Sequence, residues 1–84
     1  MQRILLIYDI TSDRIRTKVA DVCQDYGLDR IQFSTFCGKL SRNHQDAMMV
    51  RIEELLGEDD GNIQLIPISE DDWDKRLEVG YARW

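Results

Sequence analysis

The chain holds a single proline, five glycines, one histidine and two cysteines. None of its apolar runs approaches the length needed to cross a bilayer, so no membrane role is expected. Each scarcity removes a class of protein. Cys23 and Cys37 lack CxxC spacing and form neither a metal cluster nor a disulfide framework, so both read as small packing residues of a reducing compartment. His44 falls in the first turn of a predicted helix without a ligand partner in sequence, and a chain with one histidine has no HxxxH motif. Repeats, low-complexity tracts and linkers are also missing, which leaves one domain, residues 1–84. A secretory signal is not expected either, because Arg3 is followed only by Ile4, Leu5, Leu6 and Ile7 before the polar YDITSD. The expected location is the cytoplasm.

A chain of 84 residues buries only roughly 60% of the surface it exposes when unfolded, so a homo-oligomer is an expected source of further core. The net charge of −5 argues alone against a partner as negative as nucleic acid. Its distribution is two-sided, however. Through Arg51 there are eight basic and six acidic residues; from Ile52 onward there are three basic and ten acidic. The first part can hold phosphates locally, and the acidic second part suits solubility or a basic protein partner.

Arg3 to Tyr8 reads as a buried strand, with Thr11 or Ser12 capping the helix that follows. In that helix Ile15, Val19, Val22, Cys23 and Tyr26 share one face at about 100° per residue, and Gly27 ends it. Arg16 lies on the border of the stripe, where its stem packs and its guanidinium reaches along the sheet edge. Asp29 to Leu40 reads as two short strands hinged near Gln32 to Ser34. Ser41 caps a second helix with Met48, Ile52 and Leu55 toward the core, and Gly57 closes it. Asn62 to Ile68 is another strand, with Pro67 near its end; SEDDWD reads as an acidic turn, and Leu77 to Tyr81 as an extra strand available for exchange in a dimer. The order is that of an α+β, ferredoxin-like βαββαβ fold, an antiparallel sheet with both helices on one face.

Asp9 is the sharpest candidate for chemistry. A carboxylate at the end of a central strand is costly unless it is solvated, capped or paired with a cation. One reading makes Asp9 or Thr11 a helix-start device. The other uses a two-fold axis: if strand one meets its copy, two Asp9 carboxylates share a hard ion such as Mg²⁺. Arg14, Arg16, Lys18 and Arg30 precede the hinge, with Phe33 and Phe36 close behind, a combination that holds phosphates and bases. Phe33 is the one of the two rings expected in the core.

Several segments together resemble a known family. They are the apolar strand ending Tyr8-Asp9-Ile10, the Arg-x-Arg-x-Lys stretch from Arg14 to Lys18, Gly27-Leu28 followed by Arg30-Ile31-Gln32, the Ser34-x-Phe36 pair, Gly38-x-Leu40, and Ile66-Pro67-Ile68. In order and spacing, over nearly the whole chain, they resemble the small second protein of CRISPR adaptation (spacer acquisition). That resemblance implies a metal-dependent endonuclease that cuts RNA or double-stranded DNA and bridges the dimers of the CRISPR integrase. It also implies that Asp9 is the metal ligand at a homodimer interface, with Tyr8 and Phe36 shaping the site and Arg16, Lys18 and Arg30 contacting phosphate. Phe33 departs from the Tyr of many relatives, and the terminal YARW matches nothing general. Two alternatives stand beside it: a catalytically idle scaffold of the integrase, which shares every residue named, and a small ribonuclease toxin of related fold, of the virulence-associated type, which a neighbouring integrase gene would exclude.

Overall fold

Strand β1, Gln2–Ile10, alternates sharply: Ile4, Leu6, Tyr8 and Ile10 are buried, whereas Arg3, Leu5, Ile7 and Asp9 lie on the other side. In the computed structural model, which describes residues 1–80, the buried set faces two helices and the other set faces no further layer except at its Arg3 end, where Glu70 and Trp73 lie against it. The elements follow as α1 (Asp13–Asp25), β2 (Asp29–Gln32), β3 (Thr35–Leu40), α2 (Arg42–Leu56), β4 (Gly61–Ile68) and α3 (Glu70–Asp74). The strands form one antiparallel sheet in the order β2-β3-β1-β4, the ferredoxin-like arrangement expected from the sequence.

The core is the layer between β1, Phe36 of β3 and the apolar stripes of α1 (Ile15, Val19, Val22, Cys23) and α2 (Met48, Ile52). Ser12 caps α1 by accepting from the Ile15 N–H at 3.3 Å, and Ser41 caps α2 by accepting from His44 N–H at 3.2 Å. Helix α1 ends where Gly27 takes φ +80°, which lets the Leu28 N–H donate to the Cys23 carbonyl at 3.0 Å. Gly61 serves a different need. A Cβ there would stand 2.9 Å from Leu56 Cδ1 and 3.2 Å from the Asp9 carbonyl oxygen, so glycine lets β4 close against the end of β1 without pushing either aside.

Three expectations are corrected. SEDDWD is a helix, because Ser69 accepts from the Asp72 N–H at 3.1 Å and the carboxylates of Glu70, Asp71 and Asp72 fall in the first turn, where the helix end favours negative charge. Leu77 to Gly80 is not a strand in the single chain, where Leu77 and Val79 are fully exposed. Tyr81 and the rest of YARW lie outside the described residues. Phe33 is surface, 65% exposed, because it stands with Ser34 in the turn between β2 and β3 and points off the sheet.

Candidate functional site

Asp9 sits opposite Asn62 of β4, exposed on the uncovered face of the sheet. The register sets Leu5 beside Ile66 and Arg3 beside Ile68, so this face carries Leu5, Ile7, Ile66 and Ile68 with Asp9 near one end. At the other end α3 folds over the sheet. Arg3 Nε donates to Glu70 Oε1 at 3.1 Å, Lys39 Nζ lies 3.5 Å from the same oxygen, and the Arg3 guanidinium lies 4.7 Å from the Trp73 ring centroid. Among the described residues Asp9 makes no side-chain hydrogen bond or ion pair, and no group of three or more His, Cys, Asp or Glu gathers to hold a metal. At this place one chain therefore offers an ion only the Asp9 carboxylate.

The cationic residues build a separate place. Tyr8, Arg16, Arg30 and Phe33 line a cleft of about 460 Å³ on the helix side, walled by α1 through Asp13, Thr17, Asp21 and Gln24. Arg16 is held there because Nη1 donates to the Ile10 carbonyl at 3.0 Å and Nη2 pairs with Asp13, one helical turn back. Arg30 reaches the cleft from β2. Its guanidinium carbon lies 5.0 Å from the Phe36 ring centroid and 5.9 Å from that of Phe33, within cation–π range of both. Its Nε is buried without a partner, and among the described residues it pairs with no carboxylate. Tyr8 stacks on Phe36 at 6.3 Å between centroids and 19° between planes. Burial pushes the Tyr8 phenol above its ordinary value, with the neighbouring Arg30 offsetting part of the rise. It therefore stays protonated at neutral pH. Below it, burial pushes the Cys23 thiol up to about 12, which suits packing and not reactivity.

The structure thus joins Tyr8, Arg16 and Arg30 and separates them from other residues expected beside them. Asp9 follows Tyr8 in the chain but faces the opposite side of the sheet. Arg14 is exposed on α1, and Lys18 lines a groove between α1 and α2 with Asp25, Arg51 and Glu54. Phe36 was expected to touch nucleic acid, yet it is fully buried, so its ring supports Tyr8 and Arg30 from beneath and offers no face to a base. The exposed aromatic is Phe33. Its place in a two-residue turn was the sequence signal for exposure, outweighed there by its hydrophobicity.

Residues 1–76 match the family model described as CRISPR associated protein Cas2. The chain is 47% identical over 72 residues to "CRISPR-associated endoribonuclease Cas2 2" of Chloroflexus aurantiacus, covering 86% of this chain and 85% of that protein. It superposes on Streptococcus pyogenes Cas2 with a TM-score of 0.76 at 23% identity, over 92% of this chain and 96% of that one. A chain of a partial Cas6-RT-Cas1–Cas2 complex superposes with a TM-score of 0.79 at 20% identity, over 94% and 91% respectively. These two likenesses are of fold.

Proposed function

The chain belongs to the CRISPR-associated protein Cas2 family, and from that membership we propose that it is a CRISPR adaptation protein: an endonuclease acting on phosphodiester bonds of RNA or DNA that also bridges the dimers of the Cas1 integrase. The observation that carries the nuclease reading is Asp9, an uncommitted carboxylate at the end of an uncovered apolar sheet face. Laying two such faces together about a two-fold axis buries Leu5, Ile7, Ile66 and Ile68, supplies the core that a chain of this length lacks, and brings Asp9 to its own copy.

Two facing carboxylates fit Mg²⁺, which takes one or two carboxylates and fills its remaining positions with water and phosphate oxygens. When bound, such an ion supplies charge stabilisation at a phosphoryl oxygen and a more acidic water. The chain's own residues do the rest. Asp9 from each copy would hold the ion, and Arg30 and Arg16 would hold phosphate on the helix side, with Arg14 and Lys18 adding positive charge along α1. Tyr8 donates a hydroxyl proton to a bound oxygen. With no histidine or second carboxylate of the same chain at Asp9, turnover is slow. The Cas1 bridging role is supported by the likeness to a chain of a Cas1–Cas2 complex. Incubating the protein with labelled RNA and duplex DNA, with Mg²⁺ or with chelator, tests the reading: cleavage that chelation leaves intact counts against the shared ion.

A further inference from the structure

We propose that Asn62, held by Gln64, is a positioning residue for Asp9: its side-chain amide donates to one oxygen of the Asp9 carboxylate and leaves the other turned toward the shared ion. This rests on the shared-ion reading above and adds the group that fixes how Asp9 presents itself.

Strand register sets the pair. Asp9 and Asn62 are directly opposed in the β1–β4 ladder, and Gln64, two residues further on, stands on the same open face. Side chains so opposed have Cβ atoms about 4.5–5.5 Å apart, within reach of a hydrogen bond between a carboxamide and a carboxylate. Gln64 Nε2 donates to Asn62 Oδ1 at 3.0 Å, which engages the Asn62 oxygen and leaves its NH₂ without a partner among the described residues. Turned the other way, that amide would set its oxygen against the Asp9 carboxylate, two acceptors facing each other. Gln64 and Asp9 therefore favour the same orientation, and a free donor stands across from a free acceptor.

The rest of β4 agrees with this assignment. From the Arg3 end to the Asp9 end, its residues on the open face run Ile68, Ile66, Gln64, Asn62. Apolar side chains occupy the part where two sheets would close on each other, and carboxamides only the part beside Asp9, where Mg²⁺ keeps several of its waters. Charge selects asparagine as well. A Lys or Arg opposite Asp9 would neutralise the carboxylate and compete with the ion, whereas an Asp would add two more negative charges to a dimer that already brings two together. A neutral donor eases the repulsion between the Asp9 carboxylates and keeps their attraction for a cation.

The test uses the full chain, with Mn²⁺ as a paramagnetic probe whose unbound fraction is read by electron paramagnetic resonance. Asn62 and Gln64 are exposed, so Asn62→Ala and Gln64→Ala should match the parent in circular dichroism and light scattering. Asn62→Ala should bind Mn²⁺ roughly tenfold more weakly and raise by a similar factor the Mg²⁺ needed for half-maximal cleavage, with excess Mg²⁺ restoring the lost activity. Gln64→Ala should lose less, and the double variant should bind no more weakly than Asn62→Ala alone, because Gln64 acts only through Asn62. Parental Mn²⁺ affinity in Asn62→Ala overturns the proposal and leaves the shared ion standing. A double variant whose loss is the sum of the two single losses does the same. A parent that binds no Mn²⁺, or binds it equally well after Asp9→Asn, overturns the shared-ion reading and this proposal with it.

Discussion

Tyr8 and Asp9 are consecutive in β1 and face opposite sides of the sheet, Tyr8 into the packed helix layer beside Arg30 and Asp9 onto the open face across from Asn62. A strand's two-residue period imposes this division, since neighbouring side chains cannot share a face. Two adjacent residues thereby lie on two surfaces: a carboxylate on the face proposed to meet a second copy, and a phenol beside the arginines proposed to hold phosphate.

Asp9→Asn keeps size and hydrogen-bonding capacity and removes two charges per dimer. Mg²⁺-dependent cleavage should fall by orders of magnitude, while folding and dimerisation persist, because two facing carboxylates without their ion repel each other. A gel assay with RNA and duplex DNA, run beside size-exclusion light scattering, reads both. An Asn variant that cuts as fast as its parent places the chemistry elsewhere; parent and variant both idle, yet both supporting spacer integration by Cas1, leave the scaffold role alone.

Ile7→Asp and Ile66→Asp each put a charge on the apolar open face, which in the proposed dimer is desolvated. Each should convert a dimer into a monomer at micromolar concentration while leaving the circular dichroism spectrum unchanged. The same variants should lose Mg²⁺-dependent cleavage, because one chain brings only one Asp9. A parent that is monomeric in light scattering removes the shared-ion argument at its root.

The sheet and both long helices were legible in the sequence because periodicity reports which side of an element meets the core. Ser12 and Ser41 as caps, the hinge at Phe33-Ser34 and the glycine stops carry that information locally. What sequence spacing did not disclose is which side of the sheet each site residue serves. Arg14, Arg16 and Lys18 read as one basic stretch, yet only Arg16 lines the cleft, since successive helical positions turn about 100° apart. Phe33 and Phe36 were inverted for a related reason: both are apolar, and only the turn and the register opposite Leu6 decide which one is inside. Helix α3 was hidden because four carboxylates in six residues look solvated until Ser69 is seen to cap them.

Arg16 and Arg30 should differ when replaced. Arg30→Ala removes a cation with no carboxylate partner among the described residues, so nucleic-acid affinity should drop for every sequence and the log–log salt slope should flatten by about one unit. Arg16→Ala also removes the bond to the Ile10 carbonyl, so it should lower stability by about 1 kcal/mol in urea titrations as well as weakening binding. Unchanged slopes in both variants assign the arginines to packing.

Phe36 separates a supporting ring from a contacting one. Phe36→Ala empties the centre of the core and should cost about 3–5 kcal/mol, enough to unfold a small domain. Phe36→Leu keeps most of the volume, should cost less than about 1.5 kcal/mol, and should leave nucleic-acid binding within a few-fold of the parent. A folded Leu variant with binding abolished would show that the ring is used directly.

Glu70 gives a pH dependence with a definite sign. The hydrogen bond from Arg3 is the largest cause holding its carboxyl below the ordinary 4.5, with the charges of Arg3 and Lys39 adding to it and desolvation opposing. A carboxyl with a depressed folded value stabilises the fold fully above its unfolded value, and that contribution disappears as pH falls through the depressed one. Helix α3 should therefore stay docked between about pH 5 and 8 and loosen only in more acid solution. The Trp73 indole resonance reports this, because Arg3 and Arg76 lie 4.7 and 4.0 Å from its ring. Arg3→Ala should return Glu70 toward its ordinary value and shift the Trp73 signal at neutral pH without unfolding the sheet, since Arg3 stands outside the helix-side core. If Trp73 instead titrates near neutrality in the parent, a group other than Glu70 holds α3 against the end of the open face.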